Sequence, residues 1–279
     1  ALPATATSVA VLDRTKEPGA SGDPLLQEIT TALVDAVASG ARATLPRLIG
    51  GRYGLASKEF TPAMVLAVFA ELAAVAPRRR FTLGINDDVS HRSLPYDRAL
   101  DLEPDDVTRA LFFGLGADGT VSANKATIKI IGEETSRFAQ GYFEYDSRKS
   151  GSTTISHLRF GPRPIRSSYL VRRAQFVAIH DPEALERRDV LGAAMPGATV
   201  LLNTAVAPER VWDALPRDVQ ARLIEQRCRL FVIDGNGVAT RAGLGGRINT
   251  VMQVCFFKLA DVMPMDAAMA SVRRSLEQT

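Results

Sequence analysis

A glycine-rich stretch near the middle of the chain constrains its fold more than any other feature. Residues 111–125 read LFFGLGADGTVSANK, and the apolar, aromatic run Leu111–Phe113 indicates a short buried strand. Gly114, Gly116 and Gly119 follow, so the backbone can turn tightly there and a ligand can approach it closely. The stretch therefore predicts a strand that leads into a glycine loop.

A helix is expected after this loop. Asp118 or Thr120 can serve as its N-cap, and the helix is predicted to run to Ile130 and Ile131, with Gly132 as its stop. Free N–H groups and the positive helix end would point into the loop, so the stretch predicts an anion site for a phosphate or nucleotide. The spacing matches GxGxxG, but the acidic residue expected about 20 residues later is missing, and there is no GK[ST] ending. A purely structural tight turn stays open as the alternative.

Composition narrows the classes of protein. At 279 residues the chain can hold one large domain or two of ordinary size. A hydrophobic content of 46% with 23% charged residues is typical of a soluble globular protein. The net charge of +3 gives no reason to expect nucleic acid, and neither a membrane-spanning run nor a signal peptide is recognisable. We therefore expect a cytoplasmic protein without membrane or nucleic-acid partners.

The first part of the chain predicts half of a parallel α/β domain. Strands are expected at Ser8–Asp13 and Leu45–Ile49, with helices that begin at Pro24 and Pro62. A half-sheet cannot bury both of its faces alone, which suggests a truncated domain. The basic run 77–80 is expected to be a linker, so we place the domain boundary after residue 80.

Residues 81–279 are predicted to form a Rossmann-like α/β domain with an antiparallel hairpin insertion. Aromatic and apolar residues alternate in 138–145 and 153–160, and a basic turn lies between these segments. Arg159, Arg163 and Arg166 were expected near the hairpin tip, as a phosphate clamp or as a solvated rim.

Three further strands are predicted to end in polar residues that line a ligand crevice. Their carboxyl ends carry His180, Asn203 and Asp234. A second glycine loop, residues 242–246, opens a helix whose first turn contains Arg247 and Asn249.

The residues do not suggest a reaction. His91, His157 and His180 are scattered, without metal-ligand spacing, and no nucleophile motif accompanies them. His157 in an alternating strand is expected to be structural. Cys228 and Cys255 are far apart and outside any CxxC motif, which indicates buried thiols in a reducing compartment. We therefore assign no catalytic or metal-binding residue.

Several strings of the sequence resemble pyruvate:ferredoxin (flavodoxin) oxidoreductases. The resemblance runs almost end to end, although chains of that family are several times longer. By this resemblance, residues 1–80 are the C-terminal part of a transketolase-C-like domain II, and 81–279 are the gamma-type, coenzyme A-binding domain III. The strings are LDRTKEPG at 12–19, GGRYGL at 50–55, GINDDV at 84–89, SLP at 93–95, GLGADGTV at 114–121, ANK at 123–125, DSRKSG at 146–151, SHLRFGP at 156–162 and GLGGRIN at 243–249.

The resemblance implies a function that belongs to a larger enzyme. The family oxidatively decarboxylates pyruvate on thiamine diphosphate, passes electrons through [4Fe–4S] clusters to ferredoxin or flavodoxin, and forms acetyl-CoA. Thiamine diphosphate, magnesium and the clusters are expected in other domains of the enzyme. Those domains are the expected partners of this region, within a homodimer. This chain alone is expected to be inactive.

Coenzyme A contacts carry over by matching position. They are implied at Ala117, Asp118, Gly119, Thr120, Val121, Lys149 and Asn249. Arg148 stands where the family often has lysine, which keeps the positive charge. A stand-alone nicotinamide or flavin oxidoreductase and a non-catalytic interaction module are the alternatives. The identity of the 2-oxo acid and the choice of electron acceptor stay open.

Overall fold

The chain divides into two units, Ala1–Leu102 and Glu103–Thr279. The computed structural model describes residues 2–86, 89–116, 118–145, 153–245 and 247–277. Within those residues, no helix combines the length and the apolar character needed to cross a membrane.

The first unit contains a three-stranded parallel sheet. Its strands lie in the order β1-β2-β3 and are joined by two helices. Each helix has proline at its start, where the missing N–H costs no intrahelical hydrogen bond. The elements are β1 Ser8–Asp13, α1 Pro24–Ala38, β2 Arg47–Arg52, α2 Pro62–Ala73 and β3 Arg80–Thr82. The predicted parallel α/β arrangement is therefore confirmed.

Each face of this small sheet is covered by one helix. A Cβ atom at Gly50 would lie 2.3 Å from Leu26 Cδ2, which places α1 over that face. The neighbouring Ile49 points the other way and packs with Met64 and Val68 of α2.

The division between the units falls later than the predicted boundary at residue 80. Arg80 does not end a linker but begins β3, where Phe81 pairs with Gly51 of β2. Thr82 in turn forms a bridge with Ser93. These long-range pairings bind residues 81–102 to the first unit, and a local basic run gives no sign of them.

The second unit contains a six-stranded mixed sheet in the order β5-β6-β4-β7-β8-β9. Strands β4, β7, β8 and β9 are parallel, while β6 runs antiparallel between β4 and β5. The strands are β4 Thr108–Leu115, β5 Phe138–Tyr145, β6 Thr153–Gly161, β7 Ala174–Ile179, β8 Ala194–Asn203 and β9 Arg229–Ile233. The α/β class and the antiparallel insertion are confirmed, and the hairpin turn 146–152 lies outside the described residues.

Helices cover both faces of this sheet. Alternation along β4 sends Leu111 into one apolar core and Phe112 into the other. The core around Phe112 is closed by α3 Thr120–Glu134, α8 Ile248–Ala260 and α9 Met265–Glu277. The core around Leu111 is closed by α4 Ala184–Arg187, α5 Pro208–Ala214 and α6 Arg217–Glu225. Helix α7, Gly235–Arg241, packs against α8.

Arg159 is not part of a basic patch at the hairpin tip, contrary to the prediction. Thr153 begins β6 beside the turn, whereas Arg159 lies near the other end of that strand and is only 1% exposed. Its Nε is 2.6 Å from Glu103 Oε1, and Nη2 donates to the carbonyl of Tyr169 over 2.7 Å. Arg163 pairs with Asp106 at the surface.

Replacing Arg159 with methionine should reduce the free energy of unfolding of the second unit by about 3–5 kcal/mol, because the buried carboxylate of Glu103 loses the guanidinium that pairs with it. Trp212 is the only tryptophan and lies in this unit, so its fluorescence during urea unfolding gives the measurement. Arg163→Met is the control, because that exposed pair should contribute at most about 1 kcal/mol. Equal losses in both variants would contradict the buried pair.

Candidate functional site

The topology of the second unit has a switch point between β4 and β7. Helix α3, which follows β4, packs on one face of the sheet, and α4, which follows the neighbouring β7, packs on the other. At such a switch point, the loops beyond the carboxyl ends of the two strands diverge and leave room for a ligand. Here these loops begin at Gly116, after β4, and at His180, after β7.

The side chain of Asp118 accepts hydrogen bonds from the backbone on both sides of it in the glycine loop. Its Oδ2 accepts a hydrogen bond from the N–H of Leu115 over 2.7 Å, and its Oδ1 accepts one from the N–H of Thr120 over 2.8 Å. The residue at the N-cap position is Gly119, at φ +78°, so the predicted N-cap at Asp118 or Thr120 is wrong, although the side chain of Asp118 does accept from the first N–H of the helix. The helix also continues past Gly132 and ends at Glu134.

The start of α3 still offers hydrogen-bond donors to a ligand. The first hydrogen bond within the helix runs from the N–H of Ala123 to the carbonyl of Gly119, over 3.0 Å. The N–H groups of Val121 and Ser122 come before it, so they have no acceptor inside the helix. Val121 is half-buried and Ser122 is exposed, and the exposed Lys125 lies one turn further on.

The start of α8 meets the start of α3 at this loop. Nδ2 of Asn249, the second residue of α8, donates to the carbonyl of Gly119 over 3.4 Å. A Cβ atom at position 119 would lie 2.9 Å from this nitrogen, so only glycine permits the approach. Two helices of 15 and 13 residues therefore direct their positive ends to one place.

The structure brings most of the predicted contact residues together. The loop residues from Asp118 to Val121 and Asn249 lie at the meeting point of the two helices. Ala117 and Lys149 lie outside the described residues, as do the neighbouring Arg148 and Gly246. Arg247 is exposed and occupies the N-cap of α8, not the predicted first turn of the helix.

A buried polar network lies behind the loop. Thr120 Oγ1 is 2.7 Å from His180 Nδ1, and Nδ2 of Asn203 donates to the His180 carbonyl over 2.9 Å. The N–H of Gly235 then donates to Asn203 Oδ1 over 2.9 Å. Thr120, His180 and Asn203 are each at most 3% exposed. The pattern of polar residues after strands predicted where His180 and Asn203 lie, but not the link from His180 to Thr120.

Burial lowers the pKa of His180 to about 4, although the charge of Asp118 acts in the opposite direction. The imidazole is therefore neutral at neutral pH. Its ring also packs edge-on against Phe112, with the ring centres 6.1 Å apart.

The other sequence-predicted polar residues have structural contacts. Nδ1 of His157 accepts a hydrogen bond from the N–H of Val171 over 3.2 Å, and its Nε2 faces the carboxylate of Glu144 at 3.4 Å. The contact with His157 lowers the pKa of Glu144. Asp234 caps α7 by accepting from the N–H of Gly237.

The two cysteines and the possible metal ligands add no further chemistry to this site. Burial raises the pKa of both thiols, Cys228 and Cys255, which disfavours the reactive thiolate. Within the part of the chain that the structure describes, no three His, Cys, Asp or Glu residues form a metal-binding group.

Substituting Gly119 with alanine should destabilise the second unit by about 1–2 kcal/mol, because an L-residue is strained at this positive φ. The new methyl group would also displace the side chain of Asn249 from the loop. Urea unfolding followed by Trp212 fluorescence measures the loss. Gly132→Ala is the control within the same helix, where open space and helical φ predict a gain of about 0.5–1 kcal/mol. A neutral Gly119→Ala would contradict the described loop.

Acid should destabilise the second unit through His180. The pKa of His180 is 6.5 in the unfolded chain and about 4 in the folded chain, so between these values the unfolded chain binds more protons. The stability that the neutral histidine contributes is therefore complete above pH 6.5 and is lost as the pH falls towards 4. The loss should be on the order of 3 kcal/mol. His180→Asn should flatten the pH dependence of the free energy of unfolding between pH 7 and 4.5. His91→Asn, exposed in the other unit, is the control, and identical profiles for wild type and His180→Asn would refute the assignment.

Comparison with known proteins identifies the family. Residues 109–279 match the family described as pyruvate ferredoxin/flavodoxin oxidoreductase. The chain is 55% identical over 279 residues to the pyruvate-flavodoxin oxidoreductase of Trichormus variabilis, and all of it aligns with 23% of that protein. It is 47% identical over 278 residues to the pyruvate:ferredoxin oxidoreductase of Moorella thermoacetica, again with 23% of that protein covered.

The chain thus spans about a quarter of the length of these relatives. A subunit of pyruvate oxidoreductase from Thermotoga maritima, a solved structure, aligns with 62% of this chain and 96% of its own at 17% identity, with a TM-score of 0.47. The resemblance noted in the sequence is confirmed by the family match, and the chain belongs to the pyruvate ferredoxin/flavodoxin oxidoreductase family.

Proposed function

We propose that this chain is the coenzyme A-binding central region of a pyruvate:ferredoxin/flavodoxin oxidoreductase. The whole enzyme would oxidatively decarboxylate pyruvate and produce acetyl-CoA, CO2 and reduced ferredoxin or flavodoxin. The family match and the names of the relatives support this proposal. The first unit would be the end of domain II, and the second unit would be the gamma-type domain III.

The observation that carries the proposal is the meeting of two helix starts at Gly119 and Asn249. Coenzyme A carries a pyrophosphate and a 3′-phosphate, and a helix N-terminus is a good site for such anions. The N–H groups of Val121 and Ser122 would donate to the pyrophosphate, and the amide of Asn249 would bind a polar edge of the ligand. Lys149 would add a positive point charge for a phosphate.

Asp118 has a different role in this proposal from that of its neighbours. Its carboxylate would repel a phosphate, and both of its oxygens already accept backbone hydrogen bonds. It would therefore shape the loop, while the amides of Val121 and Ser122 contact the ligand. Ala117 would contribute backbone to the same loop.

The region would assist catalysis by positioning the thiol of coenzyme A near the acetyl group formed elsewhere in the enzyme. Thiamine diphosphate, magnesium and [4Fe–4S] clusters would lie in the remaining domains of a cytoplasmic homodimer, so this chain alone would be inactive. The dinucleotide alternative is less well supported, because β5, the strand after α3, is separated from β4 by β6. In dinucleotide-binding folds these two strands are adjacent.

Calorimetric titration tests the proposal, with the full-length enzyme and this chain titrated in parallel with coenzyme A, ADP and NAD. Coenzyme A should bind more tightly than either control. Asn249→Ala should weaken binding about tenfold, as expected for one lost hydrogen bond in a ligand site. If Lys149 binds the 3′-phosphate, Lys149→Ala should weaken the binding of coenzyme A more than the binding of dephospho-coenzyme A.

Lys258→Ala is the matched control for the charge, because Lys258 is exposed in the last turn of α8, at the opposite end from Asn249. Its affinity for coenzyme A should equal that of the wild type. Tighter binding of NAD than of coenzyme A would favour the dinucleotide alternative. Absence of binding in the full-length enzyme would favour the interaction module.

A further inference from the structure

The bond between Thr120 and His180 has a role beyond packing. Thr120 is the first residue of α3 and is fully buried, and its hydroxyl lies 2.7 Å from His180 Nδ1. The N–H groups of Val121 and Ser122, which would bind the ligand, directly follow this anchored residue. Any movement of Thr120 therefore moves the donors of the proposed anion site.

The loop before α3 needs such an anchor. Gly116 and Gly119 give it wide conformational freedom, which must be restricted for the donors to converge on a ligand. Gly114 also makes the contact possible, since a Cβ atom there would lie 2.4 Å from Thr120 Oγ1. The absence of a side chain at Gly114 leaves space for the hydroxyl of Thr120 to contact His180.

His180 is held rigidly enough to act as that anchor. Its N–H donates to the carbonyl of Phe113 over 2.8 Å, and its carbonyl accepts from the amide of Asn203. The ring packs edge-on against Phe112. Neighbouring strands therefore fix the backbone of His180, while Phe112 packs against its ring. Among the described residues, the buried ring nitrogen Nε2 has no hydrogen-bond partner, so the ring is held through Nδ1 and Thr120.

We infer that His180 is a positioning residue for the anion site. Through the hydroxyl of Thr120, it holds the first turn of α3 in the geometry that directs the amides of Val121 and Ser122 at the ligand. The imidazole is buried and neutral, so it neither touches the ligand nor attracts it by charge. The inference rests on the proposed function only for the identity of the ligand, coenzyme A.

Four variants of the full-length enzyme test this inference. His180→Leu and Thr120→Val each remove the bond, whereas His180→Asn keeps a polar atom near the position of Nδ1. Calorimetry gives the affinity for coenzyme A, and amide hydrogen exchange of residues 115–122 in the free protein reports the order of the loop. His180→Leu and Thr120→Val should each weaken binding about tenfold and raise exchange at the loop.

His180→Asn should restore both properties to within about twofold of the wild type. The double variant His180→Leu with Thr120→Val should be no worse than either single variant, because both remove the same bond. Wild-type affinity and exchange in His180→Leu would overturn the inference. So would equal damage by asparagine and leucine, or additive losses in the double variant.

His157→Leu controls for general loss of packing, since His157 is also a buried histidine of this sheet but contacts Val171 and Glu144. It should leave exchange at residues 115–122 unchanged. If the wild-type enzyme does not bind coenzyme A, the proposed function fails, whereas the exchange comparison between leucine and asparagine still decides the role of His180.

Discussion

The approach of α8 to the backbone of Gly119 is the constraint on which the site depends. The backbone there has a φ of +78°, and the amide of Asn249 lies where a side chain would begin. Two positive helix ends directed at one place repel each other, so their approach needs compensation. The Asn249 amide bonds the Gly119 carbonyl, and the carboxylate of Asp118 adds negative charge at the start of α3. The free protein thus holds a geometry that an anion would otherwise have to induce.

The position of Asp118 also restricts where an anion can bind near this loop. Two unit charges 4 Å apart interact by about 4 kcal/mol at the effective dielectric constant near a protein surface. A phosphate close to this carboxylate would therefore meet strong repulsion. The amides of Val121 and Ser122 have no acceptor inside the helix and offer a phosphate hydrogen bonds. The ammonium of Lys125, one turn further on, lies over the ring of Phe143, 5.6 Å from the ring centre.

Local patterns in the sequence predicted most elements of the fold, whereas long-range contacts determined what they missed. Proline at the helix starts and the aromatic alternation of β5 are local signals, and both were interpreted correctly. Asp118 and Thr120 are both good capping residues, but Gly119 occupies the cap, where its positive φ and the approach of Asn249, 130 residues away, both favour glycine. Arg159 was predicted to lie in a basic patch, because no local signal reveals its partner Glu103, which is 56 residues distant. The pairing of β3 with β2 likewise joins the residues after 80 to the first unit, so the division between the units falls after Leu102.

The polar network behind the loop shows why the site residues themselves could be placed only in part. A histidine and an asparagine that follow buried strands predict a crevice, but not the bonds between them. Burying Thr120, His180 and Asn203 costs free energy unless each polar group finds a partner, and apolar residues would fill the same space more cheaply. The network instead joins the ends of β7 and β8 to the starts of α3 and α7, and the N–H of His180 also donates to the carbonyl of Phe113 in β4. Polar burial that costs stability while fixing a loop is expected where geometry serves a ligand.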